Sequence, residues 1–299
     1  MRNKIIYLLS GLLISLGLYF TRIKSIDNET LELINQAMLI ESNDFFDGYD
    51  ISSYPVDVHY GKIEYRYKDG DIQEKKPDTV PAFTAFPSEN GPVLKLMPVH
   101  DLKNIIDFGG MSPKEAKATF LSVILHEGFH CYQMDNGLKT DSIKANGSID
   151  TDNQEYKDLI TFGKIMTRLD SDEKYQDLWL KEMQALLAYR DQGKKDDYIK
   201  AKNNKMDYVE GKLGKKDYKI YDYYVKEKEL LEGTAKFIEN QVLNKYGFEN
   251  KKKNFKNYES GQGQYYTSGA MKAEILEKHG QLKDLRFDMS TNLDDLLGV

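Results

Sequence analysis

Two of the five histidines, His126 and His130, stand four residues apart in the run His126-Glu127-Gly128-Phe129-His130. On an α-helix, residues i and i+4 share a face, so both imidazoles can be aimed at one point. Two neutral imidazoles are half of a coordination shell for Zn2+. Glu127 then projects beside the metal, where its carboxylate can take a proton from an activated water. The chemistry such a cluster offers is hydrolysis.

A catalytic zinc takes three protein ligands and keeps a fourth position open. His59, His100 and His279 are available for the third place, as are many carboxylates. The leading candidate is Glu232, in the run Glu232-Gly233-Thr234-Ala235-Lys236-Phe237-Ile238-Glu239. Gly233 and Ala235 are small and would let this helix lie close to the helix of the two histidines. His279, Glu239 and Glu155 are the alternatives. Glu239 lies two turns beyond Glu232 on the same face, where it could orient a ligand histidine through its second ring nitrogen. Cys131 is the only cysteine, so no intramolecular disulfide can form. It sits about 100° around the helix from His130 and reads as a small buried packing residue.

The HEGFH run followed by a helix reading EGTAKFIE resembles the gluzincins, the thermolysin-like class of zinc metallopeptidases. The resemblance covers about a third of the chain. It implies His126, His130 and Glu232 as zinc ligands and Glu127 as general base. It also implies that the strand from Val93 to Met97 is the edge strand along which a peptide substrate would be bound by β-addition. Glu232 lies 102 residues beyond His130, farther than in the best-known members, and a helical insertion from 141 to 225 accounts for the distance. Hydrolysis through a tetrahedral intermediate needs an oxyanion donor, which a Tyr or His often supplies in that class. Tyr266, opening a late helix with Gly269 one turn on, is the candidate here; Tyr265, Tyr224 and His279 are the alternatives.

The elements that must position these residues are legible in part. Ser112-Pro113-Lys114-Glu115 combines a cap, a proline suited to the first helical position and the acid of a capping box. Phe120, Leu121, Val123, Ile124 and Leu125 cover more than one face, and Asn136-Gly137 is a stop. The pattern predicts a buried helix from about 113 to 134, with His126, His130 and Gln133 on one stripe. Gly128 inside it costs about 1 kcal/mol relative to Ala, which points to close approach by another element or a substrate. Upstream, residues 26 to about 40 read as helix and 45–50 as a turn. Pro55–Tyr60 and Ile63–Tyr67 read as strands, and Lys68-Asp69-Gly70-Asp71 after them as a turn. Residues 72–92 hold four of the seven prolines and read as loop or irregular strand. Downstream, 156–168, 173–189, 221–243, 265–278 and 293–297 read as helices, with Ser290 or Asn292 capping the last. The Lys-, Asp- and Tyr-rich stretch 193–218 reads as a solvated helical hairpin. The fold class is therefore α+β. A small unit of strands and helix at 26–110 precedes a mainly helical metal-binding region at 111–299.

The first 25 residues read as a signal peptide or membrane anchor. Arg2 and Lys4 precede an uncharged run from Ile5 to Phe20, with Arg22 and Lys24 beyond. The expected location is extracytoplasmic, secreted or tethered to a membrane. Asn146-Gly147-Ser148 fits a glycosylation sequon. A formal net charge of −6 and the lack of a basic stripe argue against nucleic acid as a partner. The expected partner is a peptide or protein substrate. Two other functions remain: a non-catalytic tethered binding module that keeps the metal fold, and a zinc hydrolase of non-peptide substrates.

Overall fold

The computed structural model describes residues 25–77, 83–105, 110–138, 150–248, 255–288 and 290–299. Residues 1–24, read above as the body of a signal peptide or anchor, and the Asn146 sequon lie outside the described residues. Among those described, no helix is long and apolar enough to cross a membrane. The fold is α+β: a five-stranded sheet near the N-terminus, then a mostly helical chain. The chain divides into two compact units. One comprises residues 1–149 and 238–249, the other residues 150–237 and 250–299.

The first unit opens with α1 (Asn28–Met38), whose N-cap Asp27 accepts from the Thr30 amide. The strands are β1 (Val56–Tyr60), β2 (Ile63–Lys68), β3 (Asp71–Lys75), β4 (Thr84–Phe86) and β5 (Val93–Leu96), in the spatial order β3-β2-β1-β5-β4. β1, β2 and β3 form an antiparallel meander, with Val56 opposite Tyr67 and Tyr67 opposite Ile72. The β2–β3 turn has positive φ at both Asp69 and Gly70, the conformation that matches strand twist in two-residue hairpins. β5 runs parallel to β1 and antiparallel to β4.

The topology corrects the expectation that Val93–Met97 forms the edge strand. β5 is an inner strand, and all four of its residues are buried, as suits a strand covered on both faces. The edge on that side is β4, from the proline-rich stretch that reads as loop or irregular strand. β3 is the other strand hidden in that stretch: its exposed, charged residues carry no alternating apolar signal.

After α2 (Val99–Ile105), α3 (Pro113–Asp135) carries the two-histidine motif. Ser112 caps it by accepting from the Glu115 amide at 3.2 Å, and Asn136 ends it. It packs against α1, β4 and β5. Its middle is buried almost all round, from Ala118 to Cys131, as its apolar cover predicts. In the division into two compact units, α3 groups with the sheet.

The second unit holds α4 (Gln154–Asp170), α5 (Glu173–Gln192), α6 (Lys195–Leu213) and α7 (Lys215–Lys228). Then come a π-helical turn at Glu229–Gly233, the start of α8 (Thr234–Lys245), α9 (Gly263–Lys278) and α10 (Leu293–Leu297), the last capped by Asn292. Gly193, with φ of 73°, closes α5 and turns the chain into α6. The hairpin is therefore α5–α6, not a hairpin within 193–218. α6 is also less solvated than its composition suggests: Tyr198 and Val209 are buried, and Lys205 makes a buried ion pair with Glu182 at 2.5 Å. Residues 221–243 are helical throughout, but the π-turn shifts the helical register in their middle.

Candidate metal centre

α3 delivers the two histidines as the i, i+4 spacing requires. Their rings stand 5.0 Å apart, centroid to centroid. His126 is almost fully buried and His130 partly so. Glu127, between them in sequence, is buried on the same helix. Its charge helps push the thiol of fully buried Cys131 well above the usual cysteine range, after the larger effect of burial. Cys131 is thus an inert packing residue, as expected.

Gly128 is explained by a neighbouring element. A Cβ there would stand 2.8 Å from the Tyr49 hydroxyl and about 3.0 Å from Ile51. That hydroxyl donates to the Leu125 carbonyl at 2.8 Å, and the Tyr49 ring meets Phe129 edge-on. The segment 46–51 therefore braces α3 from beneath the motif.

Both histidines have their Nδ1 atoms directed at protein oxygens. Nδ1 of His130 lies 2.6 Å from Oε1 of Gln133, and Nδ1 of His126 lies 3.5 Å from Oε2 of Glu239 on α8. The Glu239 contact is a charge contact, longer than the contact of His130 with Gln133.

One ligand atom from each of His126, His130 and Glu232 lies within 4.8 Å of the other two, the one such grouping of three among the described residues. Tetrahedral zinc separates its ligand atoms by roughly 3.4 Å, a difference that side-chain rotation can span. The donor set of two imidazoles and a carboxylate fits a metal ion. Glu227, one and a half turns before Glu232, is raised above the usual glutamate range chiefly by burial; Lys228 opposes this, while the charges of Glu155 and Glu232 add to it.

Glu232 sits in the π-turn, and that turn is held from its other side. Glu229 accepts from Ser268 Oγ and from Lys272 Nζ, both at 2.6 Å. Lys272 also pairs with Asp294 of α10 at 2.7 Å. Gly233 and Gly269 face each other so closely that a Cβ on either would run into backbone of the opposing segment. This corrects the reading of Gly233 as a spacer towards the metal helix. The close approach that it permits is between the π-turn and α9.

The other candidates lie elsewhere. His59 is buried in the sheet, 3.6 Å from Glu64. His100 is exposed beside Asp101. His279 caps the far end of α9, near the Tyr189 ring. Tyr265 points its hydroxyl at the Met166 sulfur, and Tyr224 donates to the Glu155 carbonyl, so both phenols have structural partners. Tyr266 is half-buried in the first turn of α9, three residues before Gly269.

The π-turn and its lysine clamp have no local sequence signature. The one available hint is Gly233 within an otherwise strong helix, matched by Gly269 in a second. A scan against protein-family models and searches of curated proteins and of solved structures return no match.

Proposed function

We propose that this chain is a zinc-dependent metallopeptidase of gluzincin type, acting outside the cytoplasm by way of its N-terminal targeting segment. The observation that carries the reading is the convergence of His126, His130 and Glu232 on one point, with Glu127 beside the two histidines on α3. Zinc, when bound, supplies a Lewis acid that polarises a carbonyl and brings the pKa of a water towards neutrality.

The chain's own residues do the rest. His126 and His130 hold two coordination positions from one rigid, buried helix, and Glu232 holds the third. Glu239 orients His126 through Nδ1. Glu127 takes the proton of the attacking water on its carboxylate and passes it to the leaving amine, as a general base and then a general acid. Tyr266 is the proposed hydrogen-bond donor to the oxyanion. A peptide substrate would extend the sheet at β4, the edge strand nearest α3 in the packing of the first unit.

The test is Glu127→Gln, which keeps shape and removes the base. Turnover of a mixed peptide library should fall by about 10²–10⁴-fold, with zinc content unchanged. A wild-type protein that carries zinc but cleaves esters or other non-peptide substrates, and no peptides, would overturn the substrate class. Retained turnover in the Gln variant would overturn the role of Glu127.

A further inference from the structure

A histidine binds a metal through one ring nitrogen only if the proton sits on the other. In His130 the proton's place is set by its neighbour one turn on. Nδ1 lies 2.6 Å from Oε1 of Gln133. An amide oxygen can only accept, so Nδ1 carries the hydrogen and Nε2 keeps its lone pair.

Gln133 is fully buried on α3. Burying an amide there is costly unless it is hydrogen-bonded, and an apolar side chain would fill the same place without that cost. Its backbone carbonyl already serves the helix end by accepting from Asn136 and Leu138, a job any residue could do. The side-chain contact with His130 is one that an apolar residue could not make.

We propose that Gln133 is a positioning residue for the metal centre. Its amide oxygen fixes the tautomer and ring orientation of His130, so that Nε2 is presented to the ion. This role rests on the metal centre argued above. It makes the two histidines unequal. His126 faces a carboxylate, Glu239 at 3.5 Å, whereas His130 faces a neutral amide at 2.6 Å. With Glu127 and Glu232 also at the site, a neutral partner for the second histidine limits the negative charge gathered around a divalent ion.

The test uses the full-length chain and three variants. Gln133→Leu and Gln133→Met keep the volume and remove the amide oxygen; Gln133→Glu keeps an acceptor that cannot donate at neutral pH. Zinc affinity is measured by chelator competition, the visible spectrum after Co2+ loading reports ligand geometry, and melting of the metal-free forms reports folding. Leu and Met should weaken zinc about 10–100-fold and alter the Co2+ bands, while metal-free melting stays within a few degrees. Glu should restore affinity to within about threefold of wild type and return the spectrum.

Zinc affinity unchanged in Leu and Met would overturn the role, as would equal loss in Glu, which would mean that Gln133 donates rather than accepts. A wild-type chain that binds neither ion would overturn the metal centre, and this role with it. Zinc-binding wild type with indifferent variants would overturn this role alone.

Discussion

The two segments that carry the proposed metal ligands are built on opposite principles. α3 presents His126 and His130 by regular helical geometry, with a cap, a stop and a spacing visible over a few residues. The segment around Glu232 departs from that geometry: a π-turn interrupts a long helix and is kept in place by α9 and α10, far along the chain. π-turns of this kind are often found at functional sites. A regular helix can place two ligands by itself. A carboxylate from an irregular turn needs tertiary contacts to hold its direction.

The largest expected effect separates the glycines of the two segments. Gly269→Ala would set a Cβ against the Glu229 carbonyl and the Gly233 backbone. Backbone cannot give way as a side-chain tip can, so we expect a loss of about 4 kcal/mol or outright misfolding. Gly128→Ala meets the tip of Tyr49 and the flexible end of Ile51. A gain of about 1 kcal/mol in helix propensity offsets part of that crowding, and a net loss of about 1 kcal/mol should follow. Denaturant unfolding of both variants checks this. Equal losses would erase the distinction between a side-chain brace and a backbone contact.

Next in size is Lys272→Met. Lys272 is buried between Glu229 and Asp294, and its removal strands two carboxylates. Breaking a buried pair from one side costs about 3–5 kcal/mol. Adding Glu229→Gln and Asp294→Asn to the same protein should recover much of it. No recovery in the triple variant would show that the lysine acts through packing rather than charge.

A smaller effect is expected from acid. Burial works to raise the Asp294 carboxyl, but the charges of Lys272 and then Lys202 outweigh it and bring the group from 3.8 down to about 2. A carboxylate with a lowered folded pKa contributes stability that is fully present above its unfolded value. That stability is lost as pH falls from about 4 through about 2. Beneath the motif of α3 the brace is a neutral phenol on a carbonyl, Tyr49 to Leu125, which does not titrate in that range. Hydrogen exchange on the metal-free chain should therefore show residues 229–233 opening across this window while 124–130 stays protected. Simultaneous opening of both segments would contradict the comparison.

How far the sequence could be read follows the same division. The limits of α3, its cap at Ser112 and the burial of Cys131 all rest on local pattern, and the structure carries each of them. What escaped depends on partners distant in the chain. β3 and β4 have no strong periodicity and become strands by pairing with β2 and β5. Val93–Leu96 reads equally well as inner or edge strand until its neighbours are known. Gly233 signals a close approach without saying to what, and α9 rather than α3 is the answer. Buried Lys205 is hidden in a composition that reads as solvated surface.

The central claim is that His126, His130 and Glu232 hold one zinc ion. Metal content of the full-length chain, measured beside His126→Ala and Glu232→Ala, tests it most directly. The account predicts about one zinc per chain in the wild type and loss in both variants. No stoichiometric metal in the wild type even after zinc is supplied, or full retention in Glu232→Ala, would contradict it.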